Sequence, residues 1–248
     1  MENTEYGSRA WMESQYAFST QDPWGLDWRA SQQYRYWRML SAVRRHQPLT
    51  TPPLAILDIG CATGGFTAML GSLHAPGEGG TLVGIDIATQ AVARARVKFP
   101  VLRFECMALD ECARQFAGSA DVVTCMEVLY YLPQAQRTEA VQQLKRLLKP
   151  GGLLLASSMV ASAPYFSNTR LNALIASELR VIEAGVLCLK PLVLYEKLLM
   201  KIRKLAGLDV AGRTPGFCYA SVDRVQRWAN FLPSRLGQSH AYVVARND

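Results

Sequence analysis

The chain reads as an α/β protein, a mostly parallel sheet with helices on both faces, and three observations carry that reading. Short apolar runs bounded by glycine or proline recur at 54–61, 81–88, 101–107, 120–125 and 153–157, each too short for a helix and apolar throughout, as strands covered on both faces are. Segments of helical length alternate with them, which implies parallel strands joined by right-handed crossovers. The 248 residues, 50% of them hydrophobic, suffice for one domain with a full core.

The first fifty residues are rich in aromatics: Tyr6, Trp11, Tyr16, Phe18, Trp24, Trp28, Tyr34, Tyr36 and Trp37. Asp22-Pro23-Trp24-Gly25 reads as a turn. The spacing predicts a helix over 28–44, with Tyr34, Trp37, Leu40 and Ala42 inward, Arg35, Arg38 and Arg45 outward, and Pro48, Pro52 and Pro53 ending it. Strand one, 54–61, leads into a helix over 64–73, and His74 to Gly80 is a loop. Strand two, 81–88, precedes a helix over 89–99 that Thr89 can cap. After strands three and four, Pro133 suits a helix start, and Ala140, Leu144, Leu147 and Leu148 share one face. Lys149-Pro150-Gly151-Gly152 stops that helix before strand five. A strand over 179–189, helices over 191–206 and 221–232, and a final strand over 241–245 complete the chain.

Composition narrows the chemistry. None of the six cysteines forms a C-x-x-C pair and there are three histidines, so no zinc site or other metal is expected, and Cys61, Cys106 and Cys125 read as buried reduced thiols. The polar N-terminal segment has no apolar core of a secretory signal, and the run 181–194 is too short and too broken to span a bilayer, so a cytoplasmic protein is expected. The net charge of +7 is spread without a run of five basic residues, which favours a solvated basic surface over a nucleic-acid footprint.

The informative segment is LAILDIGCATGGFT, 54–67. A buried strand runs into Asp58-x-Gly60-x-x-x-Gly64 and a helix follows, so the backbone can turn sharply beside a ligand at the carboxyl end of the strand. Asp86 closes strand two, where a carboxylate can accept both ribose hydroxyls of an adenosyl group. The loop is not the G-x-G-x-x-G of a nicotinamide site: Ala62 takes the middle position, and Asp58 would repel a pyrophosphate but suits a cationic sulfonium with an ammonium group.

On these residues the chain resembles class I S-adenosylmethionine (SAM)-dependent methyltransferases, over residues 54–248. LDIGCATGG is similar to their first motif and VGIDIA to the second. ADVVTCMEVLYYL is similar to the fourth, and LKPGGLLLASS to the segment around strand five. The resemblance implies a Rossmann-like fold with a seven-stranded sheet whose last strand is antiparallel and inserted beside its neighbour. It implies SAM as cofactor, leaving S-adenosylhomocysteine as product. Asp58, Gly60, Cys61, Ala62 and Gly64 would line its methionine part, and Asp86 would hold the ribose. Ile87, Met107 and Ala108 would meet the adenine, with Cys125 and Met126 flooring the site. The acidic residue that often ends strand three is absent; Met107 stands there, with Asp110 three residues on.

For the acceptor, Glu127, Tyr130 and Tyr131 follow strand four at the mouth of the expected site, and His74 and His240 are weaker candidates. Residues 1–50 are expected to form a helical lid on a methyltransferase domain over 51–248, with acceptor-side segments around 160–235. Trp24, Trp28, Tyr34 and Tyr165 are candidate acceptor contacts, the tryptophans and Tyr34 being equally suited to core packing. DPWGLDWRASQQYRY with EVLYYL resembles NodS-type methyltransferases, which implies transfer to a nitrogen or oxygen of a small-molecule acceptor, an amino sugar or natural-product intermediate. A nucleic-acid methyltransferase is the first alternative, although strand four lacks the Asn/Asp-Pro-Pro-aromatic sequence that grips a flipped base. A non-catalytic SAM-fold partner module and a nicotinamide oxidoreductase are the others. The basic, apolar helix 191–206 reads first as a helix docked on the domain with a solvated basic face, and second as a segment able to lie on an anionic membrane. A monomer or homodimer is expected.

Overall fold

A computed structural model describes residues 5–17, 22–47, 54–73, 80–208 and 218–248. Pro48, Pro52, Pro53 and the loop from His74, with His74 itself, lie outside the described residues. The elements are α1 (Arg9–Ala17), α2 (Ala30–His46), β1 (Ala55–Ile59), α3 (Gly65–Leu70), β2 (Thr81–Asp86), α4 (Thr89–Lys98), β3 (Arg103–Cys106), α5 (Leu109–Gln115), β4 (Ala120–Met126), α6 (Arg137–Leu147), β5 (Leu148–Met159), α7 (Asn168–Ala176), β6 (Arg180–Leu187), α8 (Lys190–Leu205), α9 (Tyr219–Ala229), α10 (Ser234–Gly237) and β7 (His240–Arg246).

The strands form one seven-stranded sheet in the order β3-β2-β1-β4-β5-β7-β6. β1 to β5 run parallel, and β7 is antiparallel to both β5 and β6, inserted between them as expected. Alternate residues of each strand face opposite sides. Leu57, Ile59, Val123, Leu154 and Val243 build one core layer with Val141, Leu144 and Leu147 of α6 and Leu171 and Ile175 of α7. Ile56, Val122, Leu153, Leu155 and Val244 build the other with Met39, Leu40 and Val43 of α2 and Leu192 of α8. Each such apolar side chain contributes about 1.5–3 kcal/mol when fully buried.

The turn at Asp22 forms, the Gly25 amide donating to the Asp22 carbonyl at 3.3 Å. Several local expectations change. β5 begins at Leu148 rather than after the Lys-Pro-Gly-Gly stretch, which is absorbed as a bulge between the Ala120 and Val122 registers. β3 is trimmed to four residues. α1, α5 and α7 were not anticipated; α5 and α7 are short, and α1 is polar and lies against α4. Thr89 does not cap α4: Ala88 holds the cap position, and Glu13 of α1 accepts from the Thr89 and Gln90 amides at 2.6 and 3.3 Å. Arg35, expected outward, is buried. Cys61 and Cys125 are buried, whereas Cys106 is only part-buried.

Candidate active site

The carboxyl ends of β1, β2 and β4 open onto a cavity of about 230 Å³. α1 and the segment after it cover the cavity with Met12, Tyr16, Trp24 and Leu26; α2 adds Gln32 and Arg35. Asp58 lies one residue before the end of β1 with 2% exposure, and both its oxygens are occupied: Thr124 Oγ1 donates to one at 2.7 Å and Thr67 Oγ1 to the other at 2.6 Å. Burial pushes its carboxyl up to about 6, the two hydroxyls pull it down, and the nearby Asp86 charge adds to the rise. The loop beyond it turns at Gly60 (φ 77°), where a Cβ would sit 2.2 Å from Val128 Cγ2, so no other residue fits without displacing that wall. The Gly60 and Cys61 amides both donate to the Ile85 carbonyl, at 2.8 and 3.0 Å, tying the loop to β2.

Asp86 ends β2. One oxygen accepts the Ala62 amide and the other the Ala88 amide, both at 2.9 Å, and each keeps a lone pair for a ligand. Burial raises its carboxyl and these amide bonds oppose the rise. Ile87, Met107, Ala108 and Leu109 continue the wall beside it as an apolar slot.

The opposite wall centres on Glu127, which follows β4 at φ 62°, a left-handed conformation costly for a glutamate. Its carboxylate accepts from Ser157 Oγ at 2.9 Å and the Met159 amide at 2.8 Å, and it pairs with Arg35 Nη1 at 3.0 Å. Arg35 is 3% exposed, and its Nε, like the Oε1 of Gln32, has no partner among the described residues. The Tyr130 and Tyr131 rings meet at a tilt beside Glu127, their centroids 4.5 Å apart, and burial pushes the Tyr130 hydroxyl well above its ordinary range.

His240 opens β7 beside Met159 and lines the same cavity. The Ser239 hydroxyl lies 3.0 Å from His240 Nδ1 and 2.9 Å from the Leu187 carbonyl, and it accepts from the Leu189 amide at 3.2 Å. Burial, then the charges of Arg35 and Arg29, push the imidazole pKa well down and keep it neutral.

Of the residues singled out from sequence, Asp58, Gly60, Cys61, Ala62, Asp86, Ile87, Met107, Ala108, Met126, Glu127, Tyr130, Tyr131 and Trp24 all lie on this cavity. Cys125 does not: strand alternation turns it into the core below. Gly64 instead starts α3 against Phe104. Tyr34 is fully buried, its hydroxyl donating to Asp223 at 2.6 Å. Trp28 lines a separate groove with Asp27 and Lys98. Tyr165 packs edge-on against Tyr130 from outside the cavity. Asp110 points to solvent on α5, paired with Arg114 at 3.1 Å. Arg35 was missed, although Ser31, Arg35, Met39 and Ala42 share one buried helical face at spacings of four, four and three.

A family model described as a methyltransferase domain matches residues 56–152. Residues 56–152 thus match a methyltransferase domain, within a seven-stranded sheet of the class I SAM-dependent fold. A ubiquinone biosynthesis O-methyltransferase of Paraburkholderia xenovorans is 34% identical over 124 residues, 48% of this chain and 50% of that protein. The enzyme of the same name from Neisseria meningitidis is 29% identical over 171 residues, 66% of this chain and 67% of that one. The chain thus spans about half the length of several curated relatives it matches. Among solved structures, the N-methyltransferase NodS of Bradyrhizobium japonicum with S-adenosylhomocysteine superposes with a TM-score of 0.61 at 18% identity, covering 96% of this chain and 98% of that one. A putative sarcosine dimethylglycine methyltransferase of Galdieria sulphuraria gives a TM-score of 0.64 at 15% identity, covering 89% and 88%. The methyltransferase domain carries SAM as its cofactor class, and the wall suits it: two carboxylates, an apolar slot beside one of them, and across the cavity a buried guanidinium with an unspent Nε, the complement of an amino-acid tail with ammonium and carboxylate ends.

Proposed function

We propose that the protein transfers a methyl group from SAM to a hydroxyl oxygen of a small organic acceptor. When bound, the cofactor supplies an electrophilic methyl on a cationic sulfur. In this reading Asp86 holds the ribose, Asp58 faces the ammonium end, and Arg35 meets the carboxylate. Gln32, Tyr130, Tyr131 and Met159 bound the acceptor. The observation that carries the choice of oxygen is His240, a buried imidazole on the cavity wall beside Met159. A hydroxyl must lose its proton as it is methylated, and a positioned base is the group that reaction needs. The O-methyltransferase names of the curated relatives favour the same choice. The amino-sugar acceptor suggested by the NodS likeness rests on fold alone at 18% identity. No helix of the described residues is long and apolar enough to cross a membrane, and a cytoplasmic site of action suits the free cysteines.

The test begins with calorimetric titration of S-adenosylhomocysteine against NADH, followed by turnover on panels of phenols, sugar hydroxyls and amines. His240→Gln is expected to lower kcat on the hydroxyl acceptor by about 10²–10⁴-fold while leaving S-adenosylhomocysteine affinity within about threefold. A variant that keeps most of its kcat removes His240 as the base. Failure of the wild-type protein to bind the homocysteine product would overturn the cofactor reading itself.

A further inference from the structure

α8 is fastened to the domain along one side. Leu192 and Glu196 are its buried residues. The Glu196 carboxylate accepts from the Ser31 amide at 2.9 Å and from Arg29 Nε at 3.0 Å, so it braces the first turn of α2. About half a turn round the helix, Leu194, Leu198, Ile202 and Leu205 follow one another at steps of four, four and three residues. They are 59, 57, 54 and 86% exposed, and Leu208 just beyond the helix is 61% exposed. Lys197, Lys201 and Lys204 are exposed along one edge of that stripe. The helix has one carboxylate, Glu196, and it is spent on the inner side. A helix docked on a domain normally turns its apolar stripe inward; this one carries a second stripe outward, with cations beside it.

We propose that α8 lies in the headgroup layer of an anionic lipid bilayer. Leu194, Leu198, Ile202 and Leu205 enter the acyl boundary, and the three lysines meet lipid phosphates. Charge selects this occupant. Antiparallel pairing of the stripe with that of a second copy would bring two lysine rows to one seam, which like-charge repulsion opposes. A bilayer of anionic lipids neutralises the row instead, and the net charge of +7 adds long-range attraction. Since no described helix spans a membrane, the attachment is peripheral. It does not depend on the reaction proposed above.

Flotation of the full chain with vesicles of mixed phosphatidylglycerol and phosphatidylcholine, and with phosphatidylcholine vesicles alone, tests it. Binding to the mixed vesicles is expected, weakened by salt. Replacing Lys197, Lys201 and Lys204 by Gln should weaken it by roughly a hundredfold, and Leu198→Glu with Ile202→Glu should abolish it. Both variants should bind S-adenosylhomocysteine as the wild type does, which shows that they fold. No association with the mixed vesicles, equal association with neutral ones, or unchanged association of the Leu198→Glu/Ile202→Glu variant overturns the proposal. So does sedimentation in which that variant turns a lipid-free dimer into a monomer, because a second copy would then own the stripe.

Discussion

Asp58→Asn should make the empty protein more stable at alkaline pH and a poorer cofactor binder. The carboxyl is pushed from 3.8 to about 6 by burial. The folded chain therefore holds this proton more tightly than the unfolded chain. The stability that Asp58 contributes is fully present below 3.8 and is lost as pH rises through about 6. A rise of about two units corresponds to roughly 3 kcal/mol, and roughly half of that should appear between about pH 8 and about pH 5. Asparagine carries no such charge and can still bond Thr67 and Thr124, so its pH slope over this window should be flatter by that amount. Urea unfolding at several pH values reads the slope, and any constant offset from altered hydrogen bonds cancels. Calorimetry with S-adenosylhomocysteine reads the other half. Loss of a charged partner for the ammonium should weaken binding roughly 10- to 100-fold, and wild-type affinity should itself fall as pH drops through about 6. Parallel pH slopes for the two proteins, or equal affinities above about pH 7, would refute the reasoning.

Two further outcomes follow from the same wall. Asp86→Ala removes the carboxylate that fixes the Ala62 and Ala88 amides, and it should weaken S-adenosylhomocysteine binding by roughly a hundredfold or more; an affinity within about twofold of wild type by calorimetry would remove Asp86 from the ribose site. Arg35→Met removes the ion-pair partner of Glu127 in the cavity wall, at a cost of about 3 kcal/mol in urea unfolding, and adding Glu127→Gln should recover much of it; a single variant as stable as wild type, or no recovery in the double variant, would refute this.

The order of elements and the cofactor side of the cavity were legible in the sequence because they depend on local pattern. Apolar runs of strand length, a glycine loop after Asp58 and an acid at Asp86 have meaning within a few residues of themselves. The acceptor side was less legible. Arg35 was assigned to the surface from its charge, although its spacing with Ser31, Met39 and Ala42 put it on the buried face; its partner Glu127 lies 92 residues away and no local signal links them. His240 stood out only as a rare residue type. Its place on the cavity wall depends on β7 pairing with β5 and β6, which sets it between Met159 and Leu187.

By itself the sequence determined a parallel α/β sheet, a glycine turn at the end of β1 and two carboxylates beside it, since backbone conformation and burial period are written residue by residue. Only the tertiary structure decided which aromatics face the cavity and which fill the core, that Arg35 turns inward, and that α8 keeps an apolar stripe outward. Those choices are set by what lies across the gap, the Glu127 carboxylate for Arg35 and Ser31 with Arg29 for Glu196 of α8, and the partner's position is fixed by chain crossovers rather than by neighbours in sequence.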